Sequence, residues 1–193
     1  WISLLLLHGF VQTSGTESDE AWLAKLAQGD IYERAIKDHI HPLTLKPLGH
    51  LPPIAKLVAW LIVSHHRLPL PHQNHWSDYS SEKSASIDAM LSRVTKEWGY
   101  ENRYDETEYQ NRLNACFQFP NGLISNSTPW LKQLKKWSQR LRSCQQQITQ
   151  SIGDGSYRLI ISHARLSLML GDHYYSSQDE DKRWQDETGL YAN

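Results

Sequence analysis

The sequence predicts an all-α fold. Apolar residues recur at three-, four- and seven-residue spacing in several separate segments. No segment alternates apolar and polar residues as a half-buried strand does, and the periodic segments are divided by stretches rich in Pro, Ser, Gly and Asn. At 193 residues the chain suits one domain, and eight Trp and nine Tyr supply large surfaces to bury. A net charge of −1 gives no global electrostatic pull toward nucleic acid or a membrane surface, so such affinity has to come from a local patch. Two cysteines, Cys116 and Cys144, cannot build a disulfide framework, which points to a reducing cytoplasm.

In chain order, Trp1 to Val11 reads as a buried helix. Its apolar run Leu4–Leu7 is broken by His8 and Gly9 and is too short for a membrane span. The chain opens on Trp with no cap, which reads as a fragment of a longer protein. Ser18 is a fitting N-cap for a helix from Asp19 to about Ala27 with Trp22, Leu23 and Leu26 on one face. Ile31 to Ile36 suits a turn of helix, and His39 to Pro53, with four prolines, a connection. His39 and His41 fall in that connection and read as solvent-exposed.

The segment Ile54 to Pro69 organises the rest. Ile54, Leu57, Val58, Leu61 and Ile62 form one face, and His65 and His66 continue it at the helix end, ahead of Pro69 and Pro71. Neutral imidazoles on a rigid helix end are preorganised metal ligands. The alternative is that they cap the last carbonyls of the helix.

Pro69 to Lys83 reads as a polar loop holding His72 and His75. Ser84 to Trp98 reads as helix on Ile87, Met90, Leu91 and Val94, Gly99 to Glu108 as loop, and Tyr109 to Cys116 as a short helix. Phe117 to Asn126 is irregular around the turn pair Asn121-Gly122. Ser127 to about Ile148 reads as one long helix, capped by Ser127 or Thr128 with Pro129 in its first turn. Its polar side is basic: Lys132, Lys135, Lys136, Arg140 and Arg142. A basic stripe near aromatic residues could guide single-stranded nucleic acid, but a solvated helix face is the reading preferred on sequence.

After a turn at Gly153 to Gly155, Tyr157 to about Tyr175 is the last strong helix. Ile161, Arg165, Leu168 and Asp172 share one face. An aspartate that continues an apolar stripe needs a counter-charge or a metal, and Arg165 is the nearest pairing candidate. His163 lies off the stripe and reads as structural. Residues 178–193 are polar and read as a linker.

The segments SHHRLP (Ser64–Pro69), CFQFPNGLISNS (Cys116–Ser127) and ARLSLMLGDHYYSS (Ala164–Ser177) together resemble the HD nuclease domain of the type I-F CRISPR-associated helicase–nuclease. The resemblance runs from the first helix to about Ser177. It implies a helical HD bundle, truncated at its N-terminus: residues 1–177 as the partial nuclease domain and 178–193 leading toward a helicase. That family's HD domains hold one or two divalent metals through His and Asp. Carried onto this chain, His65 and His66 match its paired histidines and Asp172 its final aspartate, while Ser64, Arg67, Arg165 and His173 are candidates for supporting or phosphate contacts. The His-Asp dipeptide that names the family is absent here. A His-Asp pair and a further His are therefore expected ahead of Trp1, and the isolated chain is expected to be inactive.

The resemblance implies a metal-dependent deoxyribonuclease acting on single-stranded regions of foreign DNA. Mixed imidazole and carboxylate ligands suit Mn, Fe, Ni or Co, and ATP would serve only the helicase. Implied partners are single-stranded DNA, the RNA-guided surveillance complex and the CRISPR integrase, the last through an adaptation-like segment of the full protein. The expected location is cytoplasmic, with no membrane contact. Alternatives are an HD-type nucleotide phosphohydrolase and a non-catalytic helical interaction domain.

Overall fold

The computed structural model describes residues 2–14, 18–40, 48, 50–65, 87–92, 94 and 105–177. Among these residues the regular structure is entirely helical: α1 (Ile2–Ser14), α2 (Asp19–Gln28), α3 (Glu33–His39), α4 (Pro53–Ser64), α5 (Ile87–Leu91), α6 (Glu106–Cys116), α7 (Thr128–Ser143), α8 (Gln145–Asp154) and α9 (Tyr157–Ser176). The all-α expectation holds. No helix among the described residues is long and apolar enough to cross a membrane. The expectations for residues 66–86, 95–104 and 178–193, which include His66, Arg67, His72, His75 and the linker, fall outside the described residues, as does His41.

The core is built by α1, α2 and α4. Leu4, Leu5 and Val11 of α1, Leu23 of α2, and Ile54 and Ala55 of α4 are all essentially removed from water. Because α1 is buried on most sides, its apolar residues show no single stripe, as expected for a helix enclosed by others. Gly9 allows the close approach of α3: a Cβ there would lie 3.0 Å from the Ile36 side chain. Phe10 stacks on Trp130 at 6.1 Å between ring centroids and so ties α1 to the start of α7.

Local signals explain several boundaries. Ser18 caps α2, accepting from the Ala21 amide at 3.2 Å, and Ser127 caps α7, accepting from the Trp130 amide at 3.2 Å. Helix α6 begins earlier than the Tyr109 start expected from periodicity. Asp105 accepts from the Glu108 amide at 3.0 Å, and Glu108 pairs with Arg112 one turn on at 2.8 Å. The turn of helix expected over Ile31 to Ile36 is α3, displaced to Glu33–His39.

The largest departure is in the expected helix from Ser127 to Ile148, which is two helices meeting at Cys144. The Cys144 backbone sits at φ −98°, ψ 5°, and the Ser143 hydroxyl donates to the Arg140 carbonyl at 2.8 Å. This local hydrogen bond competes with helix continuation. The bend lets α7 stay on α2 while α8 turns onto α4 and α9. Helix α8 then runs through Gly153, and the left-handed residue that ends it is Gly155 at φ 82°.

His8 lies half-buried on α1, and among the described residues its Nδ1 has no hydrogen-bond partner. Burial lowers its pKa, and repulsion from His39 on α3 lowers it further. As pH falls below the ordinary imidazole value of about 6.5, the unfolded chain takes up this proton before the folded one. The stability that neutral His8 contributes is therefore present above that pH and lost as pH falls through it. The melting temperature should drop between about pH 7.5 and about pH 5.5, and His8→Gln should flatten that dependence. An equal drop in the variant would place the acid sensitivity elsewhere.

Candidate functional site

The C-terminal end of α4 is where the sequence places its first two ligand candidates. Helix α4 has Pro52 and Pro53 at its start and no capping side chain of its own. Its first amides are satisfied by Asp19 from α2. The buried Asp19 carboxylate accepts from the Ile54 amide at 2.9 Å, the Ala55 amide at 3.2 Å and the Trp22 indole at 2.9 Å. An anion at a helix N-terminus also meets the positive end of its dipole. Lys56 reaches Asp88 of α5 at 2.6 Å and ties down a second side of the same helix.

At the other end, Ser64 is fully buried and its hydroxyl has no partner among the described residues. Its carbonyl accepts from Arg165 Nε of α9 at 2.8 Å. A carbonyl at the end of a helix lacks an intrahelical donor, and Arg165 supplies one across 101 residues of sequence. This bond joins the end of α4 to α9, which packs against it.

His65 continues the helical backbone at φ −67°, ψ −35°. Its Nδ1 lies 2.6 Å from the Ile62 carbonyl. A carbonyl only accepts, so Nδ1 carries the proton and donates, and in the neutral ring the lone pair resides on Nε2. The capping alternative is thus realised through Nδ1. A backbone-anchored Nδ1–H is the usual support of an imidazole metal ligand.

Asp172 lies on α9 seven residues past Arg165, two turns along and close to the same side. Burial along this side decreases from Tyr157 and Ile161, both buried, to Arg165, Met169 and Asp172, all partly buried. Leu168, expected on the stripe, is 40% exposed. Arg165 spends Nε on the Ser64 carbonyl, and among the described residues no ion pair reaches Asp172. The Arg165–Asp172 pairing is therefore not the arrangement adopted. His173 is exposed on the neighbouring side.

Among the described residues no three His, Cys, Asp or Glu side chains come together as a metal-ligand set. The set named from the sequence depends on His66, which lies outside them along with Arg67. Sequence reasoning missed Asp19. Its signal was the proline start of α4, a helix with no local cap and hence with amides in need of a distant acceptor.

No family model matches the chain. Two curated proteins match it over its whole length. It is 33% identical over 202 residues to the CRISPR-associated nuclease/helicase Cas3 of subtype I-F/YPEST from Pectobacterium atrosepticum. It is 34% identical over 210 residues to the protein of the same description from Pseudomonas aeruginosa. The chain spans 18% and 17% of the length of these relatives. Along its entire length, the chain is homologous to a segment of the CRISPR-associated nuclease/helicases of subtype I-F.

Proposed function

We propose that this chain is part of the metal-dependent HD nuclease domain of a type I-F CRISPR nuclease/helicase, cutting single-stranded regions of foreign DNA. The observation that carries the reading is the end of α4, where the His65 ring is anchored with Nδ1 2.6 Å from the Ile62 carbonyl. The homology to nuclease/helicases supports the choice of chemistry.

His65 and His66 are the proposed ligands of one divalent Mn, Fe, Ni or Co ion and Asp172 of the other in a site of one or two ions. The fit is chemical: an imidazole anchored through Nδ1, and a partly buried carboxylate with no ion pair among the described residues. When bound, such an ion lowers the pKa of a water and withdraws charge from a phosphate oxygen. Arg165 acts as a positioning residue, because its bond to the Ser64 carbonyl joins the helix of His65 to that of Asp172. His173, Arg67 and the Ser64 hydroxyl are proposed phosphate or supporting contacts. The remaining donors, including a His-Asp pair, are proposed to come from the rest of the full-length polypeptide. That polypeptide would meet the RNA-guided surveillance complex and the CRISPR integrase in the cytoplasm, with ATP used by its helicase part.

The test is cleavage of circular single-stranded DNA by the full-length polypeptide after chelation and metal replacement. Nicking should vanish with EDTA and return with manganese or nickel. Cleavage indifferent to chelation would remove the metal assignment. Hydrolysis of deoxynucleotides with no nicking would favour the nucleotide phosphohydrolase.

A further inference from the structure

The basic side of α7, which on sequence reads as a solvated face, carries an exposed aromatic ring among its cations. Trp137 stands on the outside of the helix, 57% exposed, among the largest exposed apolar side chains of the chain. The Arg140 guanidinium lies 4.8 Å from its ring centroid and the Lys136 ammonium 5.8 Å. Lys132, Lys136 and Arg140 repeat every four residues, about 6 Å along the axis, and all three are exposed. Helix α7 contains no acidic residue, and α8 has none before Asp154. Of the basic residues on α7, Arg142 is neutralised by Glu20 of α2, to which it donates from Nε at 2.7 Å. Among the described residues, Lys132, Lys136 and Arg140 enter no salt bridge.

Cations against an exposed indole are favourable contacts in themselves, and here they set an aromatic ring and a row of positive charge side by side in water. The guanidinium and the ammonium lie over the ring, so a base that stacks on Trp137 takes the place of one of them. A single nucleic-acid strand offers the matching chemistry, with flat bases for the ring and evenly spaced phosphates for the cations. An acidic protein surface would match the cations and leave the indole without a role.

We propose that the outer face of α7 is a contact surface for single-stranded DNA, with a base stacked on Trp137 and the backbone running along Lys132, Lys136 and Arg140. The strand identity rests on the nuclease reading above, while the face is separate from the His65 end of α4. Trp137 is a binding residue and takes no part in bond cleavage.

Binding is measured in EDTA, by anisotropy of a labelled thymidylate strand of about 16 nucleotides, so that loss of this face and loss of the metal centre are read separately. Trp137→Ala should weaken binding about 5-fold or more, and Trp137→Phe should retain most of it, since stacking is what is being tested. Replacing Lys132, Lys136 and Arg140 together by Ala should lower the slope of log affinity against log salt by about 2. Because these side chains are exposed, both variants should melt with the parent. Unchanged affinity and unchanged salt slope in both variants would overturn the proposal. So would a face that binds poly-glutamate independently of Trp137 and leaves the DNA affinity untouched. A 5-iododeoxyuridine strand crosslinked to the full-length polypeptide should leave its adduct on Trp137, and adducts confined to other segments would count against the face.

Discussion

His66→Ala in the full-length polypeptide should abolish manganese- or nickel-dependent nicking of single-stranded DNA and leave the melting temperature nearly unchanged. In the sequence His66 directly follows His65 and continues the Ile54–Ile62 spacing, so its replacement is expected to leave the fold intact. Loss of a residue that merely supports a ligand costs about 10- to 100-fold, and loss of a ligand itself costs more. The expected fall in rate is therefore at least about 100-fold. Asp172→Ala should lose activity alike. Its carboxylate is partly buried and has no ion pair among the described residues, so the metal-free protein should be no less stable without it. Arg165→Ala separates positioning from ligation: it removes the donor to the Ser64 carbonyl and should lower both stability and rate. Nicking rates beside thermal melts of each variant make the comparison. Full activity in both His66→Ala and Asp172→Ala would end the ligand assignment.

Asp19→Ala should produce the largest loss of stability of any single substitution considered. One buried carboxylate accepts from two amides at the start of α4 and from the Trp22 indole. Removing it leaves three donors in a place with little water. The cost should resemble that of breaking a buried charged interaction, about 3–5 kcal/mol. For a chain of this size that is a fall in melting temperature on the order of 10 °C. Asp19→Asn keeps one acceptor oxygen and loses the charge that favours the helix dipole, so it should fall between the parent and the alanine variant. Thermal melts followed by circular dichroism check the order. A melting temperature within a degree or two of the parent for Asp19→Ala would mean that the helix start is satisfied by water or by other groups. A loosened α4 also loosens His65 at its far end, so the same variant should weaken metal binding without touching a ligand.

Helix existence was legible because periodicity is local. The stripes over Trp22, Leu23 and Leu26, over Ile54 to Ile62, and over Tyr157 to Tyr175 each marked a helix that is present. Caps were legible for the same reason: Ser18 and Ser127 act on amides three residues away. The paired histidines could be singled out from their place on a stripe, and the capping and ligating readings of His65 were both visible there. The break at Cys144 was not legible, since the run from Ser127 to Ile148 has helical composition throughout. The bend gains its reason only from the packing of α8 on α4 and α9.

Contacts between distant segments were likewise decided by tertiary structure. Asp19 meets Ile54 across 35 residues, and Arg165 meets Ser64 across 101. A carboxylate in the first turn of α2 reads locally as a partner for its own helix dipole, and an arginine beside Asp172 reads locally as that aspartate's partner. Each instead serves the end of another helix. The physical reason is the same in both cases: the amides at a helix start and the carbonyls at its end have no partner within the helix, and once packing buries them the strongest polar side chain within reach is drawn to them, whatever its distance in sequence.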